Sequence, residues 1–516
     1  MPLFEITLVL LAIAVVLLQI ARHIRVPYPA MLALAGGCVA ALPFAPHLSI
    51  EPRLALALFV APAVMDTAFD MPPREMLRIW LPLTSLAVVL VLLTTAAVAW
   101  AGWALAGLPL AAAVALGAIV APPDAAAAAA VLREFNLPRR TMAVLQGESL
   151  LNDAVALLAF GLAVSAAVSP GHEWNTLLPR LGLAVPGGAL LGVATGVLSI
   201  RVARKVAGTL SSIIVQFLVT FGTWILAERL SLSPIVAVVA LAAVAARYMP
   251  ARTSARDRIN SYAVWATVVF VLNVLAFLLM GLQARIILSQ LAADELRHAL
   301  VFAAIVLGVV IGVRFLWVMT YGAVVRLLQS FFNPRALGAP IPRARIGVLV
   351  SWCGMRGLVT LATAFSLPPD FPGRNVIVLS AFTVVLGTLV VQGFTIRPLI
   401  TLLRIAPDRS LDLEVAEARR AMLDAALAEL AGHSGEAADA VRGEYREARA
   451  ASSSDPTRPV TQYDGLRMLA IAAERRLLVE WRRQGRIFDD TYHLLEGELD
   501  RAELHTASLG TTWLES

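Results

Sequence analysis

The sequence contains few charged residues. Acidic and basic side chains occupy 15% of its 516 positions, whereas hydrophobic residues occupy 59%. A soluble globular domain carries about 25% charged residues, so this composition excludes an ordinary soluble protein. We predict an all-α polytopic membrane protein whose partner is the lipid bilayer, and we expect no nucleic-acid partner.

Cysteine and membrane-embedded histidine are scarce. Cys38 and Cys353 fall in separate apolar segments and suggest no disulfide framework. All seven histidines lie in loops, at segment ends or in the C-terminal region, so a Ser-His pair inside the membrane is missing. The Gly-Asp motif of intramembrane aspartyl proteases is missing too. We therefore expect no enzyme and no cofactor.

Long apolar runs are abundant. A helix needs about 17 to 25 apolar residues to cross the hydrocarbon layer. The first run has no basic leader and no cleavage site, so it is predicted to be a membrane helix and not a signal peptide. The thirteen predicted segments lie near 3-21, 28-45, 54-69, 77-100, 108-132, 142-168, 181-200, 211-228, 233-246, 262-281, 299-325, 346-366 and 375-402.

Basic residues are concentrated in alternate loops. With the N-terminus outside, the inner loops hold eighteen basic residues and the outer loops hold six. Because Lys and Arg near the ends of spans prefer the cytoplasm, this asymmetry predicts an external N-terminus and a cytoplasmic C-terminus.

The composition changes after Arg404. Residues 405-516 carry 21 acidic residues and 14 arginines, against 15 acidic and 28 basic residues before them. Apolar residues recur there at helical spacing, and "ASSSDPTRP" separates two helical stretches. We predict a transmembrane domain over 1-404 and a cytoplasmic acidic helical tail over 405-516. Regulation and support of a dimer both stay open as roles for the tail.

Six ionisable side chains lie well inside the predicted segments. Each costs a few kcal/mol or more in hydrocarbon, so each is a candidate functional residue, although ion pairs that hold helices together are the alternative. At about 1.5 Å of rise per residue, all except one reach a similar depth near the midplane. The exception, Asp66, lies near the inner end of its segment and suggests a cytoplasmic funnel or a helix contact. The other five are Asp124, Glu148, Asp153, Arg314 and Arg356.

The stretch "GESLLNDAVALL" places polar side chains on one face of the sixth segment. Glu148, Ser149, Asn152 and Asp153 fall within an arc of about 140°. Hard monovalent cations and protons both favour oxygen ligands, and one carboxylate can hold either but not both. This face is therefore a candidate site for cation and proton exchange. Depth alone allows Arg314 to pair with either acid of this face.

The stretch "IVAPPDAAAAAA" interrupts the fifth segment. Pro122 and Pro123 stop a helix in mid-membrane, because proline lacks an N–H donor and clashes with the preceding turn. A second half-helix that begins about Pro123 would place Asp124 in its first turn, where the dipole stabilises a carboxylate. Secondary transporters build ion sites at such breaks. A simple proline kink is the alternative, but it leaves Asp124 unexplained.

The stretch "VLVSWCGMRGLVTLA" predicts a second break, in the twelfth segment. Gly354 and Gly357 flank Arg356 at its centre. Segments five and twelve are separated by an odd number of crossings, so they run in opposite directions. An inverted repeat with two crossing broken helices is therefore possible, in which Arg356 compensates exposed carbonyl ends.

Together these motifs resemble the monovalent cation:proton antiporter family 1, in its bacterial sodium/proton antiporter branch. "GESLLNDAVALL" is similar to the family's acidic-serine and Asn-Asp signature, "APPDAAAAAAVL" to its broken-helix motif and "SWCGMRGLVTLATAFSLP" to its Gly-Arg-Gly helix. The resemblance covers about residues 1 to 405. It implies the sodium/proton antiporter fold, a homodimer in the bacterial inner membrane, and alternating access by an elevator-like movement.

The resemblance also implies roles for the polar residues. Asp153 would exchange a cation for a proton, and Asn152 would stabilise the site while staying neutral, which favours electroneutral exchange of one cation for one proton. Asp124 and Ser149 would complete the cation site with these two. Glu148 would pair with Arg314 in "IGVRFLW".

One departure from the family bears on the choice of cation. Many relatives have Thr before the broken-helix aspartate and Pro after it, whereas this chain has Pro123 and Ala125. Pro123 cannot supply a hydroxyl ligand. We expect Na⁺/H⁺ antiport, with K⁺/H⁺ or broader cation/proton antiport as the alternative. A channel fits less well, because a broken-helix pair with one carboxylate site is typical of alternating exchange.

Overall fold

The computed structural model consists of helices and connecting segments, and no strand occurs among the residues that it describes. The chain divides into two compact units. The first unit comprises Met1–Leu132 and Arg140–Ala406, and the second comprises Arg133–Arg139 and Pro407–Ser516. The structure describes residues 2–24, 27–40, 51–71, 73–124, 128, 132, 135, 137–168, 174–206, 209, 211–248, 255–283, 293–331, 344–405, 408, 410–451, 462–484, 486, 495–496 and 498–503.

The helices of the first unit are numbered in chain order. Two of them are continuous helices that contain one wider, π-type turn: α3 comprises Pro52–Ala55, Leu56–Val60 and Ala61–Phe69, and α5 comprises Trp80–Thr84, Ser85–Val89 and Leu90–Ala106. The others are α1 Pro2–Ile24, α2 Tyr28–Ala40, α4 Pro73–Arg78, α6 Leu110–Val120, α7 Arg139–Val168, α8 Trp174–Lys205, α9 Ser211–Arg229, α10 Pro234–Tyr248, α11 Ala255–Leu282, α12 Ala293–Phe331, α13 Ala344–Trp352, α14 Leu358–Phe365 and α15 Arg374–Leu403.

Many of these helices are long and apolar enough to cross a membrane. Shorter apolar helices occur at Leu11–Ala21, Tyr28–Val39, Leu110–Val120 and Pro234–Tyr248. Each predicted apolar segment overlaps a helix, so the predicted all-α polytopic membrane protein is confirmed, whereas the number of crossings stays a prediction. Within the described ranges, the seven long apolar helices are Trp80–Ala106, Arg139–Val168, Gly182–Lys205, Ser211–Arg229, Asp257–Leu282, Glu295–Leu327 and Arg374–Leu403.

Two helices stop inside apolar stretches, as the sequence predicts. Helix α6 ends at Val120, and residues 121–124, which include both prolines, are not helical. The half-helix expected after Asp124 lies largely outside the described residues. In the second case, α13 ends at Trp352 and α14 begins at Leu358. Residues 353–357, here called the α13–α14 break, are non-helical.

A wide turn in α5 creates a contact with α12. At Ser85–Val89 the helix widens, and the indole N–H of Trp317 is bonded to the Ser85 carbonyl at 3.2 Å and to its Oγ at 3.1 Å. Such turns leave a carbonyl without its regular helical partner. The contact fixes α12 against α5 three residues beyond Arg314.

In the described part of the second unit there are three long helices: α16 Ser410–Leu430, α17 Glu436–Ala451 and α18 Gln462–Arg483. Ion pairs stabilise its surface. Asp424 of α16 pairs with Arg449 of α17, and Arg475 of α18 binds Asp500 at 2.7 Å and Glu503 at 2.6 Å. The helical nature of the tail agrees with the sequence, whereas its cytoplasmic location and its role stay predictions.

Candidate functional site

A buried ion pair joins α7 to α12. The two nitrogens of the Arg314 fork bind the two carboxylate oxygens of Glu148, and the Nη2–Oε2 distance is 2.9 Å. Arg314 also donates to the carbonyl of Val350, from Nε at 3.2 Å and from Nη2 at 3.1 Å. Both charged side chains are 1% exposed. The partner of Arg314 in the structure is therefore Glu148 and not Asp153. The predicted depths of these residues in the membrane had left both pairings open.

Asn152 connects α7 to the break that follows α6. Its amide nitrogen donates to the carbonyl oxygen of Pro123 at 3.0 Å. The carboxamide is fully buried, and its oxygen Oδ1 has no hydrogen-bond partner among the described residues. A neutral carboxamide here leaves one oxygen available to a cation.

Arg356 joins the two broken helices. Its Nε donates to the Val120 carbonyl at 3.0 Å, and Nη2 donates to the Ala121 carbonyl at 3.1 Å. Its Nη1 donates to the carbonyl of Gly354. The guanidinium is 1% exposed. Arg356 therefore compensates the carbonyl end of α6, as the sequence indicated, and also supports a carbonyl of its own segment.

The backbones of the two breaks approach closely. The Asp124 amide donates to the Met355 carbonyl at 2.7 Å. A Cβ atom added to Gly357 would lie 1.6 Å from Oδ2 of Asp124. The Asp124 carboxylate is thus seated directly against the second break, at a position that only glycine allows. The two breaks cross and form one polar region inside the apolar unit.

The candidate cation ligands lie beside this region. Asp153 is 7% exposed, and its carboxylate interacts electrostatically with that of Asp124, which is half-buried. Ser149 lies one helical turn before Asp153 on the same polar face, and Asn152 adjoins it. Carboxylate, hydroxyl and carboxamide oxygens suit a hard monovalent cation. The set of Asp153, Asp124, Ser149 and Asn152 fits such a transported ion in its chemistry.

Two features of the site were not evident from the sequence. The hydroxyl of Thr388 accepts a hydrogen bond from the Arg356 amide at 3.0 Å, although threonine in an apolar helix gives no distinguishing pattern. The thiol of Cys353 lies close enough to Arg314 and Glu148 to interact electrostatically with both. By contrast, Asp66 lies in α3, and its suggested funnel or packing role stays a prediction.

Comparison with known proteins agrees with this geometry. The model of the transmembrane sodium/hydrogen exchanger family matches residues 8–402. An uncharacterised Na⁺/H⁺ exchanger of Mycobacterium tuberculosis is 30% identical over an alignment of 531 positions, gaps included, that covers 97% of this chain and 95% of that protein. A sodium, potassium, lithium and rubidium/H⁺ antiporter of Bacillus pumilus is 31% identical over 450 residues, covering 83% of this chain and 66% of that protein.

A solved structure shares the fold. The sodium proton antiporter MjNhaP1 of Methanocaldococcus jannaschii superposes with a TM-score of 0.55 at 16% identity, covering 77% of this chain and 97% of that one. This likeness shows the sodium/proton antiporter fold alone. The family match covers most of the chain and both breaks. The chain therefore belongs to the sodium/hydrogen exchanger family of membrane-embedded cation/proton antiporters, and it is a transporter and not an enzyme.

Proposed function

We propose that this protein exchanges a monovalent cation, with Na⁺ as the first candidate, for H⁺ across the bacterial plasma membrane. The observation that carries the proposal is the position of Asp153. Its carboxylate is buried on the polar face of α7 and interacts with that of Asp124, and the preceding residue, Asn152, has a buried carboxamide oxygen with no hydrogen-bond partner among the described residues. In this site a proton and a cation compete for one carboxylate, and their competition couples the two fluxes.

The neighbouring charges support this division of roles. Arg314 is engaged by Glu148, and Arg356 is engaged by backbone carbonyls, so each of these guanidinium groups has partners other than Asp153. Asp153 can then lose one proton for each cation that it binds, with Asp124, Ser149 and Asn152 as further ligands. Asn152 adds no charge, which favours electroneutral exchange.

Alternating access completes the proposed cycle. Site helices that carry the two breaks and α7 move past a more static, dimer-forming part, as in an elevator. In the proposed orientation the N-terminus is outside and the tail is cytoplasmic. The crossed breaks support a movement in which the site stays intact, because hydrogen bonds tie each break to the other.

The decisive experiment measures cation-driven dissipation of ΔpH in proteoliposomes. Asp153→Asn should abolish exchange, because a carboxamide cannot release a proton to make room for a cation. Asp370→Asn, at an exposed position outside the long apolar helices, is the matched control and should exchange like the wild type. Exchange at the wild-type rate in Asp153→Asn would overturn the assignment.

A broader cation range is the second candidate. The Bacillus pumilus relative is named for transport of sodium, potassium, lithium and rubidium, and Pro123 cannot supply a hydroxyl ligand beside Asp124. A panel of Na⁺, Li⁺, K⁺ and Rb⁺ in everted vesicles across pH distinguishes the two. Cation flux that persists without counter-movement of protons would favour a channel over either antiporter.

A further inference from the structure

The α13–α14 break is attached to α15 at two points. Just before its start, the indole N–H of Trp352, the last residue of α13, donates to the hydroxyl of Thr395 at 2.8 Å. Near its end, the Arg356 amide donates to the hydroxyl of Thr388 at 3.0 Å. The two threonines lie seven residues, or about two turns, apart and so share one face of α15. A non-helical segment needs such partners, because its amides lack helical acceptors.

Thr388 differs from other threonines in the apolar helices. Many threonine hydroxyls bond back to a carbonyl of the preceding turn, as Thr220 does to the Gln216 carbonyl at 2.9 Å. The Thr388 hydroxyl also bonds back, to the Val384 carbonyl at 2.8 Å, but it accepts the Arg356 amide at the same time. Thr220 and Thr388 are both fully buried. Only the second bond of Thr388 reaches another segment of the site.

The hydrogen bond from the Arg356 amide to Thr388 holds a part of the α13–α14 break that is itself bonded to the first break. The backbone of Arg356 is fixed by Thr388, while its guanidinium reaches the carbonyls of Val120 and Ala121. The adjacent carbonyl, of Met355, accepts the amide of Asp124. A shift of the Arg356 backbone would therefore displace the carboxylate-bearing break as well.

We propose that Thr388 is a positioning residue of the exchange site, whose hydroxyl sets the α13–α14 break at the height where Asp124 can share a cation with Asp153. This role rests on the proposed function. The hydroxyl touches neither the cation nor Asp153 in this scheme. It acts through the Arg356 amide, and its loss leaves a buried N–H group without an acceptor.

The first test uses substitutions that separate the hydroxyl from its packing. Thr388→Val removes the acceptor and keeps the shape, Thr388→Ser keeps the acceptor, and Thr220→Val removes only a back-bond. In proteoliposomes, Thr388→Val should raise the half-saturating cation concentration about tenfold, because a buried donor loses its partner. It should also displace the pH profile of exchange. Thr388→Ser and Thr220→Val should stay within about twofold of the wild type.

A second readout does not depend on transport. Cys353 lies in the α13–α14 break and is 2% exposed. In a Cys38→Ser background it is the sole cysteine, so its labelling by N-ethylmaleimide reports directly on the position of the break. Labelling should be about tenfold faster with Thr388→Val than with Thr388→Ser or Thr220→Val, because the break loses one of its two attachments to α15. Thr388→Ala provides the same comparison if the valine variant folds poorly.

The outcomes separate the two proposals. Absence of exchange in the wild type with every cation would overturn the proposed function, while the labelling rates would still report whether Thr388 holds the break. Wild-type affinity, pH profile and labelling in Thr388→Val would overturn the positioning role alone. A defect in Thr388→Ser together with wild-type behaviour in Thr388→Val would also overturn it, because the methyl packing and not the hydroxyl would then matter.

Discussion

At the residue scale, Glu148 and Arg314 show how charge is held inside an apolar unit. Each is 1% exposed, and removal of one partner leaves the other buried and uncompensated, which costs about 3–5 kcal/mol. We expect Glu148→Gln to lower the thermal unfolding temperature in detergent markedly. The double variant Glu148→Gln/Arg314→Gln should lose less than the sum of the single variants, because it leaves no unpaired charge.

The same variants separate a structural role from a transport role. If the Glu148→Gln protein that remains folded exchanges with wild-type apparent affinity, the pair holds the helices together and does not shape the cation site. Additive losses in the double variant would contradict the direct coupling between the two side chains. Both results come from the same purified preparation, with one portion used for thermal unfolding and another reconstituted for the exchange assay.

Gly357 provides a second prediction at the residue scale. Since an added Cβ would lie 1.6 Å from Oδ2 of Asp124, Gly357→Ala must displace either the carboxylate or the α13–α14 break. We expect the half-saturating cation concentration to rise at least about tenfold, the effect of losing one well-placed interaction of the carboxylate. Gly161→Ala is the matched control in α7, because a Cβ there meets nothing within 4 Å. Unchanged affinity in Gly357→Ala would show that Asp124 tolerates a different position.

At the scale of elements, a row of glycines brings α8 and α10 together. Gly188, Gly192 and Gly196 recur every four residues, a spacing that predicts close helix packing. A Cβ on Gly192 would lie 2.0 Å from the carbonyl oxygen of Ala237 in α10. The helices must therefore separate if this glycine is replaced.

We expect Gly192→Ala to destabilise the protein without changing its apparent cation affinity, since α8 and α10 supply none of the proposed ligands. Thermal unfolding in detergent measures the stability, and exchange assays on a separate, folded portion of the protein measure the apparent cation affinity. Gly222→Ala in α9 is the control, because a Cβ there meets nothing within 4 Å. A large change in cation affinity for Gly192→Ala would mean that this packing is coupled to the site.

Element positions followed from the sequence wherever hydropathy or proline decided them. Apolar runs located the membrane helices, and Pro122 and Pro123 located the first break, because both effects act within a few residues. The wide turn at Ser85–Val89 could not be predicted, since a helix has the same apolar composition whether its turns are regular or wide. The length of α8, Trp174–Lys205, exceeded the predicted 181-200, because hydropathy measures the apolar span and not how far the helix continues.

Site contacts were predictable only in part. The depth calculated from the helical rise placed the charged residues at one level in the membrane. It could not decide whether Glu148 or Asp153 is the partner of Arg314. The hydrogen bond from Asn152 to the Pro123 carbonyl and the anchor at Thr388 depend on the path of the non-helical segments. Sequence periodicity describes regular helices, so it carries no information about that path.

At the scale of the whole molecule, the neutral Asn152 determines the expected response to voltage. A site that releases one proton for each bound monovalent cation carries the same charge in both directions, so a membrane potential should not drive exchange. Transport of one extra charge would instead gain about 2.3 kcal/mol per 100 mV, equal to about a 50-fold concentration ratio. We therefore expect electroneutral exchange.

The test imposes an interior-negative potential on proteoliposomes with an inward thiocyanate gradient. Thiocyanate avoids the use of K⁺, which is itself a candidate transported ion. The experiment measures the Na⁺ gradient at which the pH difference across the membrane stops changing. That gradient should be the same with and without the potential, and a shift toward 50-fold per 100 mV would contradict one-for-one exchange.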